Sequence, residues 1–171
     1  MLVRPAALEK AGGIAAIRQE IIDDCALARA IKRCGGRVWL SLTPGTFSTR
    51  VYGSFAEIER MIARTAFNQL GHSTLILLCS LVGLTISYLL PWALVLSGRP
   101  TLAALGALCW LLMTLAYAPM VRFYDLSIGW AFTLPLSACF YMLATFHSAI
   151  KYWAGRGGEW KGRAQDHTSL G

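Results

Sequence analysis

Residues 75–96 read LILLCSLVGLTISYLLPWALVL, a run without one charged side chain. At about 1.5 Å of rise per residue, a helix of that length covers the roughly 30 Å hydrocarbon core of a bilayer. Two similar blocks follow, at 102–121 and 128–150. Buried helices of a water-soluble core are rarely this long and uncharged, so the blocks are read as about three transmembrane helices within a region 73–150. Pro91, Pro119 and Pro135 lie inside or near their ends and predict kinks, which bilayer helices tolerate when neighbours take up the freed carbonyls. Trp92, Trp130, Tyr152 and Trp153 suit the membrane–water interfaces.

Composition agrees with that reading. Of 171 residues, 56% are hydrophobic and 15% charged, outside the range of ordinary soluble domains. The five cysteines (Cys25, Cys34, Cys79, Cys109, Cys139) have no CxxC spacing, which excludes the usual zinc patterns and predicts free thiols instead of a secreted disulfide framework. His72, His147 and His167 are too scattered for a metal site, and His147 reads as a packed or interfacial histidine. The net charge of +7 sits at the two ends of a nearly uncharged middle, where only Arg99, Arg122 and Asp125 carry charge between residues 73 and 150. No basic stripe interleaved with aromatics on a soluble fold is present, so nucleic acid is excluded as a partner. Anionic membrane lipids and a cytoplasmic face account for the charge.

Before the apolar blocks, Ser54-Phe55-Ala56-Glu57 has the form of a capping box and opens an amphipathic helix to about Leu70. Phe55, Ile58, Met61, Ile62, Ala66 and Leu70 share one face of it; Glu57, Arg60, Arg64 and Asn68 share the other. The helix, with flanks 54–72, is expected to lie in the headgroup layer with its apolar side down.

Residues 1–53 have a different character. Asp23 and Asp24 open a short helix, where negative charge suits the positive end of the helix dipole and either carboxylate can take up free backbone N–H groups. Ala26, Leu27, Ala30 and Ile31 form its apolar stripe, Arg29, Lys32 and Arg33 its basic last turns, and Gly35-Gly36 a left-handed stop. Pro5 fits the first turn of an earlier short helix that Gly12-Gly13 ends, and 14–21 is ambiguous between helix and strand. Val38, Trp39, Leu40 and Leu42 predict a strand over 37–42, ahead of a Pro44-Gly45 turn.

Gly12-Gly13, the acid pair some ten residues on, then Leu27 and the basic residues after it form a spacing that resembles the acceptor-side half of the family 2 glycosyltransferases. The longer string GGIAAIRQEIIDDCALARAIK, with RMIARTAFNQL and the tail EWKGR, is most similar to the hopene-associated glycosyltransferases. The likeness runs from Leu2 to about Arg163 and covers the C-terminal part of a family member. It implies a small α/β remnant of a glycosyltransferase A-type domain over 1–53, so the fold expected is a mainly α membrane protein carrying that remnant. It implies that Asp24 is the general base, with Asp23 as its tuning neighbour. Ser48, Arg50 and Tyr52 resemble an SxRxY segment of the hopene-associated enzymes. Arg64 matches the arginine of a QxxRW motif in which Met61 stands for the glutamine and Thr65 for the tryptophan. Trp160, Lys161 and Arg163, in a basic aromatic tail 151–171, match a WKGR signature. Arg64, Arg50, Trp160, Lys161 and Arg163 are therefore the expected substrate-binding residues.

The resemblance further implies an inverting transfer from a nucleotide-sugar donor to a lipid acceptor, a hopanoid among the candidates, at the bacterial inner membrane with residues 1–72 cytoplasmic. It implies a divalent metal, Mg or Mn, whose ligands belong to a donor-binding half with DxD-type acids that this chain does not contain. Met1 falls where the family sequence continues, so the chain is expected to be a fragment, inactive alone. The alternative reading is a small non-catalytic membrane anchor or interaction protein. Three full spans would put the basic tail opposite the cytoplasmic residues 1–72, against its charge, unless one proline-containing block is re-entrant.

Overall fold

The computed structural model describes residues 2–18, 20, 22–47, 49 and 52–156. Its chain divides into two compact units, Met1–Thr46 and Phe47–Gly171.

In the first unit, α1 (Pro5–Lys10) carries Pro5 in its first turn, where a missing N–H costs no helical bond. Gly12 and Gly13, at φ +88° and +69°, take the chain out of α1 and into a 3-10 turn, Ile14–Ile17. The 11-residue helix α2 (Asp23–Arg33) follows, with both acids in its first turn and Lys32 and Arg33 in its last. It stops at Gly35, φ +76°, and the Gly36 N–H donates back to the Ile31 carbonyl at 2.9 Å. Leu27 and Ile31 pack with Ala11 as the buried centre of the unit, with Val3, Leu8, Ile17 and Ala30 around them.

Residues 37–42 correct the sequence-based expectation. They run outside helix and sheet, and no strand occurs among the described residues, so the expected α/β remnant is instead a small helical unit. β-branched and aromatic residues favour a pleated surface only when a neighbouring strand supplies the ladder, and every regular element described here is helical.

The second unit opens with α3 (Phe55–Gln69), capped as expected: the Glu57 N–H donates to Ser54 Oγ at 3.3 Å. Glu57 Oε2 reaches one residue further back, accepting from the Gly53 N–H at 3.0 Å. Gly71 and His72, both at positive φ, turn the chain into α4 (Thr74–Val95). α4 widens to a π-helix over Thr85–Leu89 just before Pro91, whose ring lacks an N–H and crowds the preceding turn. α5 (Pro100–Phe123) and the segment Ile128–Trp153 complete three helices long and apolar enough to cross a membrane. The last is not uniform: a 3-10 stretch, Ile128–Thr133, gives way at Leu134-Pro135 to α6 (Leu134–Trp153).

Two contacts fix how these helices meet. Gly106 of α5 lies against the end of α4, where an added Cβ would stand 2.5 Å from the Pro91 carbonyl oxygen and 2.8 Å from Leu94 Cβ. α3, in turn, packs along α6, with Ile62 and Ala66 on the fully buried Ala144 and with Ile58 and Phe140 beside them. Phe67, 1% exposed, packs with Leu77 and Ala149. The face of α3 expected to lie on lipid is thus largely taken by α6, because Ala144, Ser148 and Ala149 leave room for a neighbouring helix. Phe55 at the start of the face stays mostly exposed, edge-on to Phe140 at 6.1 Å.

The α4–α5 contact is tested by a paired substitution. Gly106→Ala is expected to cost about 1–3 kcal/mol through overpacking, read as a lower Tm in detergent. Gly83→Ala in α4, where a Cβ meets nothing within 4 Å, is expected to leave Tm unchanged or raise it.

Candidate functional site

The acid pair occupies the first two positions of α2, after Ile22 as N-cap. Asp23 Oδ1 accepts from the Asp24 N–H at 3.0 Å, and Asp24 Oδ1 accepts from the Cys25 N–H at 2.7 Å. Each carboxylate therefore uses one oxygen on a helix N–H that has no intrahelical acceptor. Both side chains are exposed, while Ala26 and Leu27 beside them are buried and hold the turn in place. The positive end of the helix favours their charge. The result is a fixed, solvent-facing carboxylate on Asp24 whose Oδ2 makes no further hydrogen bond among the described residues. Such a group has the geometry to accept a proton.

Gly12-Gly13 belongs to the same unit as the acid pair, since Ala11 and Ile17 on either side of it pack into the cluster formed by Leu27 and Ile31 of α2. The Cys34 thiol donates to the Lys10 carbonyl at 3.2 Å and ties the far end of α2 to the end of α1.

The second unit brings two of the other sequence features together. The Tyr52 hydroxyl donates to Met61 Sδ at 2.8 Å. Met61 lies three residues before the half-buried Arg64 on α3, so the SxRxY tyrosine touches the helix that carries the QxxRW-like residues. Arg50, Trp160, Lys161 and Arg163 lie outside the described residues. Near the end of α6, His147 Nδ1 is 3.0 Å from Glu59 Oε1 of α3, a pair that no local pattern joins because 88 positions separate them.

A divalent cation needs several converging oxygen or nitrogen ligands. No three His, Cys, Asp or Glu side chains converge among the described residues, and Asp23 and Asp24 each have one oxygen turned to the backbone. This donor set, among the described residues, does not fit a resident metal. All five cysteines are free thiols.

The family model described as glycosyl transferase family 21 matches residues 1–167. The chain belongs to that family. Glycosyl transfer is therefore its family's chemistry, and the match takes in the acid pair, α3 and all three candidate spans. No curated protein and no solved structure matches the chain.

Proposed function

We propose that this family 21 chain is the acceptor-side, membrane-embedded portion of an inverting glycosyltransferase that moves a sugar from a nucleotide-sugar to a lipid hydroxyl. The observation that carries the reading is that one family match spans both an exposed acid pair, fixed at the start of a helix, and three helices able to cross a bilayer. Asp24 takes the proton of the acceptor hydroxyl as its oxygen attacks the anomeric carbon. The bond from that carbon to the diphosphate breaks on the opposite face, and the nucleoside diphosphate leaves. Arg64 is assigned to a phosphate of donor or acceptor, as a guanidinium is suited to do. Arg50, Trp160, Lys161 and Arg163 join it by their likeness to family 2 and hopene-associated motifs. That likeness makes a hopanoid the first acceptor to test and a bacterial inner membrane the expected location. A divalent metal, Mg or Mn, belongs to the donor side of this proposal. A second reading is a non-catalytic membrane anchor, a role the three candidate spans would serve by themselves.

The structure also bears on which side of the membrane the ends lie. His72, just before α4, stacks on Tyr152 near the end of α6 at 4.2 Å and 15°. Phe67 meets Tyr152 and Trp153 edge-on at 5.3 and 5.7 Å. At the far end of α4, Trp92 meets Trp110, whose Nε1 donates to the Phe132 carbonyl at 3.2 Å just before α6 begins. α4 and α6 thus run in opposite senses between the same two levels. These contacts support a topology in which α4 and α6 cross while residues 100–133 leave and return as a hairpin. Residues 54–72 and 154–156 then share the cytoplasmic face, in keeping with the rule that basic residues stay on that side.

In a cysteine-free background, Ser73→Cys and Ala154→Cys are expected to react with an impermeant maleimide in the same vesicle orientation, and Gly98→Cys in the opposite one. Labelling of Ser73→Cys and Ala154→Cys from opposite sides would remove the hairpin.

For the chemistry, Asp24→Asn within a complete enzyme keeps the backbone acceptor but not the base. Its kcat for sugar transfer to lipid is expected to fall about 10²–10⁴-fold with an unchanged melt. Asp23→Asn is expected to cost less. Equal, small effects at both positions would favour the anchor.

A further inference from the structure

From Cys25 to Thr46 the chain carries Arg29, Lys32, Arg33 and Arg37 and no acid. Past α2, residues 38–42 of that stretch expose their apolar side chains. Leu40 is 97% and Trp39 85% exposed, and Val38 and Leu42 are exposed beside them. Lys32, Arg33 and Arg37 are exposed too, at the end of α2 and just after Gly35-Gly36. An exposed apolar run that follows three cations, in a stretch without an acid, is not a core segment of this unit, whose centre is Leu27, Ile31 and Ala11.

We infer that residues 32–42 dock on the anionic surface of the membrane into which the chain's own helices insert. Lys32, Arg33 and Arg37 meet lipid phosphates, while Trp39 and Leu40 enter the boundary between headgroups and acyl chains. Tryptophan is favoured at that depth, and clustered cations beside it select anionic lipid. The backbone of 37–42, outside helix and sheet, makes no backbone hydrogen bond among the described residues. In the hydrated headgroup layer those groups keep water as their partner, whereas the hydrocarbon core would strand them. A sheet edge of another protein would pair those groups through its backbone alone, whereas lipid phosphates also match the three cations. The bilayer accounts for both the apolar and the basic half of the patch.

The docking has a functional consequence that rests on the reading of Asp24 as the base. α2 is about 16 Å long, so contact at its Lys32-Arg33 end keeps the acid pair within that distance of the headgroup layer. A lipid's hydroxyl lies in that layer. The docking itself is measured without sugar transfer, so its failure and the failure of the glycosyltransferase reading are separate events.

The test uses the whole chain in nanodiscs. The emission component that Trp39→Phe removes is expected to be lost in discs of brominated anionic lipid at low salt. It is expected to return at high salt, and in the variant combining Lys32→Gln, Arg33→Gln and Arg37→Gln. Equal emission in brominated and plain discs would overturn the proposal. Quenching indifferent to lipid charge and salt would overturn its anionic selectivity. Shielding of Trp39 only in discs holding two chains would assign the segment to a second copy instead.

Discussion

Phe67 donates its backbone N–H to Ser148 Oγ at 3.0 Å across the seam between α3 and α6, and the groups around that bond are among the most buried in the molecule. Ala144 and Ala149 are fully buried, and Phe67 is nearly so. The small side chains of α6 let α3 approach closely, and the hydroxyl of Ser148 adds a buried hydrogen bond across the seam. This seam decides much else. It removes the apolar face of α3 from the membrane surface, sets Glu59 against His147, and brings His72 onto Tyr152.

The helices of the second unit consequently meet at two levels of different character. At one level an aromatic cluster of Phe67, His72, Tyr152 and Trp153 joins the beginning of α4 to the end of α6. At the other, Trp92 and Trp110 pack beside Gly106, close to where Pro91 forces the π-helical turn. The prolines do not merely bend helices here. Pro91 follows a widened turn and Pro135 starts α6 afresh after a 3-10 stretch, so the third apolar block changes character where its sequence looks continuous.

The family 21 match and the acid pair bear on function at different levels. The match gives the class of chemistry, glycosyl transfer. The geometry shows Asp24 as an exposed carboxylate in the first turn of α2, with one oxygen on the Cys25 N–H. Arg64 is a half-buried cation on α3, the helix that also holds the Tyr52–Met61 contact.

Local chemistry made several elements legible in the amino-acid sequence. Ser54 and Glu57 marked the start of α3, Gly35-Gly36 the end of α2, and uninterrupted apolar runs the three candidate spans. Each of these signals acts within a few residues, through caps, left-handed glycine or side-chain transfer from water, so no distant partner is required to read it. Residues 37–42 and the apolar face of α3 were read less well for the opposite reason. A strand exists only with a neighbour, and an amphipathic face is satisfied equally by lipid or by another helix. Only the tertiary structure decided both, because the partner that covers Ile62, Ala66 and Phe67 lies some eighty residues further along the chain, whereas Trp39 and Leu40 stay exposed.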